Sequence, residues 1–126
     1  MINGTFVDGN KPMVEATIAH GQAVQNPFFV LDTGFTGDLA VTDKVAKDLG
    51  FDPNNPDFIS DMRTADHKLS PFPSVTALAS MEGKTLYVTL VIKPGLPLLG
   101  ISFMEKFGYK AIVDCKNKKV SLEVAS

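Results

Sequence analysis

The chain has 126 residues, 44% of them hydrophobic and 21% charged, with a formal net charge of −2. That suits one globular domain, spanning residues 1–126, with one modest core. The near balance of acids and bases excludes a basic stripe for nucleic acid, and no run of roughly 18 apolar residues marks a membrane span.

In chain order the pattern is mostly strands. Thr5–Val7 reads as a short strand, turned at Asp8-Gly9-Asn10, and Met13–His20 reads as a long one with Val14, Ala16 and Ile18 on one face. Gly21–Asn26 is a polar connection. Pro27–Asp32 is an apolar run that drives into Asp32-Thr33-Gly34, where Gly34 breaks it. An ionised carboxylate at the end of a buried strand is an expensive placement unless it is paired or functional. Asp and Gly are also ordinary turn residues, so these three letters alone leave a simple turn cap open. Leu39–Val41 continues extended.

Thr42 then reads as the N-cap of a short helix, with Asp43 in its first turn, Val45, Ala46 and Leu49 on one face and Gly50 at its stop. Asp52–Pro56 is a loop by composition. A strand is expected from Phe58 to Thr64, turning at Ala65–Lys68. Its return through Leu69, Pro71, Phe72 and Pro73 lacks backbone donors at the prolines, which suits an edge or a protruding hairpin. Val75–Met81 and Thr85–Ile92 pair around Glu82-Gly83. Pro94–Pro97 is a rigid bend and Leu98–Gly100 a short buried segment. Ser102 is the expected cap of a second helix ending at Phe107 and stopped by Gly108. Tyr109–Asp114 and Val120–Val124 form a closing hairpin, with Lys116, Lys118 and Lys119 on its solvated turn.

The single cysteine, Cys115, cannot close an intramolecular disulfide and reads as a free thiol. The sequence Met1-Ile2-Asn3-Gly4-Thr5 lacks a basic segment followed by an apolar one, and the expected compartment is the cytoplasm. The two histidines, His20 and His67, lie far apart without a His-Glu-x-x-His pattern, so no metal and no cofactor is expected. No Gly-x-Ser-x-Gly elbow marks a serine hydrolase.

Four blocks, in this order, resemble the retropepsin-like (clan AA) aspartic proteases, specifically small bacterial and archaeal members with an Asp-Thr-Gly-Phe core. They are Leu31–Gly37 with the helix behind it, Thr64–Lys68, Pro97–Met104, and Ile112–Asp114 with Val120–Glu123. The resemblance implies a mostly β, retropepsin-like closed β-barrel (the acid protease fold) with two short helices and a flap hairpin. It implies Asp32 as the catalytic residue. Thr33, Gly34, Leu99 and Gly100 would support the catalytic loop, and Phe35, Ala65, Asp66, His67 and Lys68 would contact substrate from the cleft and flap. Two positions depart from the common pattern. Phe35 stands where many members have Ala or Ser, and Asp66-His67 stands where the flap turn has Asp-Gly, so His67 requires unusual backbone geometry or a different turn.

The chemistry implied is hydrolysis by a water held between two carboxylates that share one proton. The chain holds one Asp-Thr-Gly, and Asp114, followed by Cys115-Lys116, is no second copy of it. The expected enzyme is therefore a homodimer with Asp32 from each subunit on the two-fold axis. Its substrate is an extended peptide or protein segment laid between floor and flaps, with Phe35, Leu39 and Phe72 favouring apolar side chains beside the cut. The competing reading is a catalytically weak or inactive dimer of the same fold, used as a peptide-binding or assembly module.

Overall fold

A computed structural model describes residues 1–63 and 66–126. Its first seven strands are β1 (Ile2–Asn3), β2 (Thr5–Val7), β3 (Lys11–Glu15), β4 (Thr17–His20), β5 (Ala23–Gln25), β6 (Phe28–Leu31) and β7 (Leu39–Val41), followed by α1 (Asp43–Asp48). Then come β8 (Phe58–Arg63), β9 (Leu69–Met81), β10 (Lys84–Ile92), β11 (Leu98–Leu99), α2 (Ile101–Phe107), β12 (Tyr109–Asp114) and β13 (Lys119–Val124).

The large sheet follows the order β2-β3-β6-β11-β7-β10-β9-β4-β5, with β8 also paired to β9. It curls around one core in which Phe29, Phe103, Ile18, Leu39, Leu90 and Leu99 are fully buried. A separate sheet, β1-β13-β12, closes one side through buried Val120 and Leu122. The mostly β architecture with two short helices is the one the sequence implies.

Several elements differ from expectation for local reasons. The expected strand Met13–His20 is two strands, because Ala16 leaves the ladder and its N–H donates to Pro27 O at 3.1 Å. The expected polar connection Gly21–Asn26 contains β5, which pairs with β4 around a left-handed Gly21. The second helix starts at Ile101, with Gly100 in the cap position instead of Ser102 and no side-chain cap bond. The first helix keeps Thr42 as its cap, with Thr42 Oγ1 accepting from the Val45 N–H.

β9 is one continuous strand of 13 residues, where the sequence reads as a hairpin arm followed by a separate strand. Pro71 and Pro73 sit inside it opposite Asp61 and Ile59 of β8. The missing donors weaken β9 only where its one partner is β8, which agrees with prolines confined to sheet edges. The turn from β9 to β10 places Glu82 and Gly83 at φ 48° and 83°, the paired left-handed conformation of a two-residue hairpin. Glu82 also accepts a hydrogen bond from the Tyr109 hydroxyl at 2.8 Å, tying this turn to β12. Burial and the adjacent Glu82 push the Tyr109 phenol well above its usual range.

α2 buries Phe103 and Phe107, whose rings lie 4.6 Å apart. Removing the Phe103 ring should leave a cavity under the helix. Phe103→Ala is expected to cost about 3–5 kcal/mol, seen as a lower denaturation midpoint with an unchanged slope.

Candidate active site

β6 ends at Leu31 and hands the chain to a loop, residues 32–38, that lies along the floor of a cleft. The loop is held from below by a segment far away in sequence. β11 wedges between β6 and β7, parallel to one and antiparallel to the other, so that Leu98 faces both Val30 and Ala40. The Asp32 N–H donates to Leu99 O at 3.0 Å. Gly100, Ile101 and Ser102 then donate their N–H groups to the carbonyls of Asp38, Phe35 and Gly37 at 2.9, 2.9 and 3.2 Å. A helix start leaves its first N–H groups without partners. Here the loop carbonyls supply them, which explains why α2 needs no capping side chain.

Asp32 is half-buried, and its Oδ1 accepts the Gly34 N–H at 2.9 Å. A Cβ on Gly34 would stand 3.2 Å from that oxygen. Its φ lies outside the left-handed region, so this glycine provides close approach of backbone to carboxylate, not an unusual turn. Gly100 is packed tighter. A Cβ there would collide with the carbonyl oxygens of Phe35 and Gly37 and with the Phe35 ring.

The residues expected in the site fall on two sides of the loop. Asp32, Gly34 and Phe35 face the open cleft, of about 840 Å³, together with Phe58, Met62 and Phe72. Thr33, Leu99 and Gly100 face a smaller apolar hollow of about 380 Å³ on the opposite side, which Asp32 also borders. Leu39 does not reach the cleft. It is fully buried in the main core, because β7 is covered on both faces. Phe35 is only 6% exposed and packs with Ala40, Val91, Met62, Phe72 and Leu98. It thus joins the loop to the roots of the flap hairpin, the paired arms β8 and β9.

At the flap turn His67 has φ 65°, a left-handed backbone conformation uncommon outside glycine. The Arg63 guanidinium donates to His67 O at 2.9 Å, and Asp66 Oδ1 accepts the Lys68 N–H at 3.2 Å. Asp66, His67 and Lys68 lie beyond the residues that line the cleft. Ala65, with Thr64, lies outside the described residues.

One residue pair escapes sequence reading. Asp38 is 3% exposed, and its Oδ2 accepts the Thr89 N–H at 2.9 Å and the Lys106 ammonium at 2.6 Å. Its Oδ1 is buried with no hydrogen-bond partner among the described residues. The visible signal is an acid directly before the apolar run Leu39-Ala40-Val41; nothing in the sequence points to Lys106, which stands on α2. Because the Asp38 carbonyl also receives the Gly100 N–H, this pair locks the far end of the loop to β10 and α2. Removing the lysine strands a buried carboxylate, whereas removing the charge of Asp38 leaves a half-exposed lysine that water can solvate. Lys106→Met is therefore expected to cost about 1–3 kcal/mol. Asp38→Asn, which keeps an acceptor for Thr89, should cost about 1 kcal/mol or less. Chemical denaturation of both variants at neutral pH checks the order.

No family model and no curated protein sequence matches this chain. Solved structures do. A retropepsin-like aspartic protease from Rickettsia conorii superposes with a TM-score of 0.71 at 23% identity, over 96% of this chain and 88% of that one. The EIAV protease, solved in complex with an inhibitor, gives 0.65 at 14% identity, over 86% and 99%. The fold of this chain is that of the retropepsin-like aspartic proteases.

Proposed function

We propose that this protein is an aspartic endopeptidase that works as a homodimer, with Asp32 of each copy facing one water. The observation that carries this reading is the placement of Asp32. It is a half-buried carboxylate on the cleft floor, in a loop whose backbone is fixed on both sides, and it borders the apolar hollow against which a second copy could lie. Buried Asp38 is engaged with Lys106, so it is not available as the second catalytic acid.

In this reading the two Asp32 carboxylates sit too close for both to ionise, and they titrate as a pair sharing one proton. The ionised member takes a proton from the water as it attacks the scissile carbonyl. The protonated member donates a hydrogen bond to the carbonyl oxygen, where negative charge develops. The proton then passes to the departing amine, with no covalent intermediate. Thr33 and Gly34 hold the carboxylate at its angle, and Leu99 and Gly100 back the loop. The substrate lies extended over Phe35, with Phe58, Met62 and Phe72 favouring apolar side chains beside the cut. The flap turn at Ala65, Asp66, His67 and Lys68 closes over it and excludes water. No helix among the described residues is long and apolar enough to cross a membrane. The reading places the enzyme in the cytoplasm, where a lone exposed thiol such as Cys115 stays reduced.

Asp32→Asn should retain the fold and lose peptide cleavage by at least about 10²–10⁴-fold, measured on a diverse peptide mixture by mass spectrometry. A folded wild-type dimer that cuts nothing would instead favour the peptide-binding or assembly role. The wild-type pH profile should be bell-shaped, falling on the acid side as both carboxyls of the pair protonate and on the alkaline side as both ionise. A profile flat across the acidic and neutral range would exclude a shared-proton pair.

A further inference from the structure

The wall of the cleft is one face of three neighbouring strands. Phe58 and Ser60 of β8 lie on it, with Phe72 of β9 and Val91 and Lys93 of β10. The ladder sets Ser60 against Phe72, and Ser74 against both Phe58 and Val91. Strand alternation then carries Lys93, two residues past Val91, onto the same face. The wall is mostly apolar, so its polar groups are conspicuous.

The cations that line the cleft differ in what engages them. Lys106 is bound to Asp38 at 2.6 Å. Arg63 gives its guanidinium to His67 O at 2.9 Å, and Asp61, of opposite charge, shares its face of β8. Lys93 makes no ion pair among the described residues, and its ammonium reaches only Pro94 O, at 3.4 Å. It is half-buried all the same. An uncompensated charge among apolar groups is a costly placement unless a ligand brings the counter-charge.

Ser60 is a second, independent signal. Ser74 is fully buried and donates its hydroxyl to Ser60 Oγ at 2.6 Å. A hydroxyl that accepts in this way still has its own proton to give. Half-buried Ser60 finds no acceptor for that proton among the described residues. The wall therefore offers two donors, a hydroxyl and an ammonium, and no carboxylate on the same face of these strands. A wall of donors recognises an acceptor, and the ammonium favours one that is anionic.

We propose that this wall binds a carboxylate side chain of the substrate, so that the cleft selects peptides carrying Asp or Glu at a fixed distance from the apolar residues at the cut, with Lys93 supplying the charge. The proposal rests on the reading that paired Asp32 carboxylates cut peptides in this cleft, and it names the class of peptide. In a two-fold dimer each copy presents one Lys93, so the favoured acidic positions lie symmetrically on either side of the cut.

The test uses the full-length protein and short apolar peptides with amidated C-termini. One Glu is walked from end to end of the peptide, and each peptide has a twin with Gln in its place. The wild type should cut the best Glu peptides about three- to tenfold faster than their twins, and the gap should narrow as salt rises. Lys93→Met should not distinguish the twins. Lys93→Glu should favour Gln over Glu, and Lys walked in its place over both. Ser60→Ala should narrow the wild-type gap without reversing it. Equal rates on the twins, a Glu preference that survives in Lys93→Glu, or loss of the dimer by that variant in sedimentation would overturn this inference and leave the endopeptidase reading standing. If no peptide is cut, calorimetry on the same peptides separates the two. Tighter binding of Glu peptides by the wild type, reversed in Lys93→Glu, would keep the acid-selecting wall and remove the endopeptidase. No binding would overturn both.

Discussion

The site depends on a hydrogen-bonding constraint. A helix that starts in the interior must find acceptors for its first N–H groups, and a loop that crosses the floor of a cleft must find donors for its carbonyls. Gly100, Ile101 and Ser102 meet Asp38, Phe35 and Gly37, and each set satisfies the other. A buried group left without its partner costs about 1–3 kcal/mol, so the loop and the helix start are either both in place or both disrupted. The two-residue strand β11 adds the register, since it can fit between β6 and β7 in only one alignment that buries Leu99 and pairs Asp32 with its carbonyl.

Two further links extend this constraint outward. Phe35 clusters with Ala40 and Val91, and Met62 and Phe72 of the flap arms pack against that cluster. The Phe35 ring also explains Gly37, where a Cβ would stand 2.7 Å from it. An aromatic at this position therefore couples the floor of the cleft to the root of the structure that covers it. On the other side, Asp38 ties the end of the loop to β10 through Thr89 and to α2 through Lys106. The carboxylate that performs the proposed chemistry is half-open, while the one six residues later is sealed into the frame.

Most of the strands, most of the turns and the Asp32 loop were legible because they are local. Glycines, prolines and alternating apolar residues act over a few positions, and Asp32 stands at the end of an apolar run where a charge is conspicuous. The continuity of β9 was not legible, because prolines announce lost donors without saying which partner strand loses them. The start of α2 was hidden for a related reason. Ser102 is the stronger capping residue by propensity, but the acceptors come from a loop more than sixty residues earlier. The Asp38–Lys106 pair is equally invisible, since no periodicity joins two charges on separate elements. Leu39 stands close to Asp32 in sequence, which suggests the cleft, yet β7 turns it inward.

The dependence of the loop on residues 97–102 also bears on how the molecule is made. Contacts of such wide sequence separation form late, after the entropy of closing a long intervening segment has been met. Asp32 leaves the ribosome early, but the carbonyl and amide groups that fix its backbone arrive some sixty-five residues afterwards. A nascent or truncated chain that stops short of α2 carries the Asp-Thr-Gly sequence without its geometry. In the proposed endopeptidase, the Asp32 carboxylate is thus brought to its geometry only once nearly the whole chain has been built around it, which spares the protein's own unfolded copies.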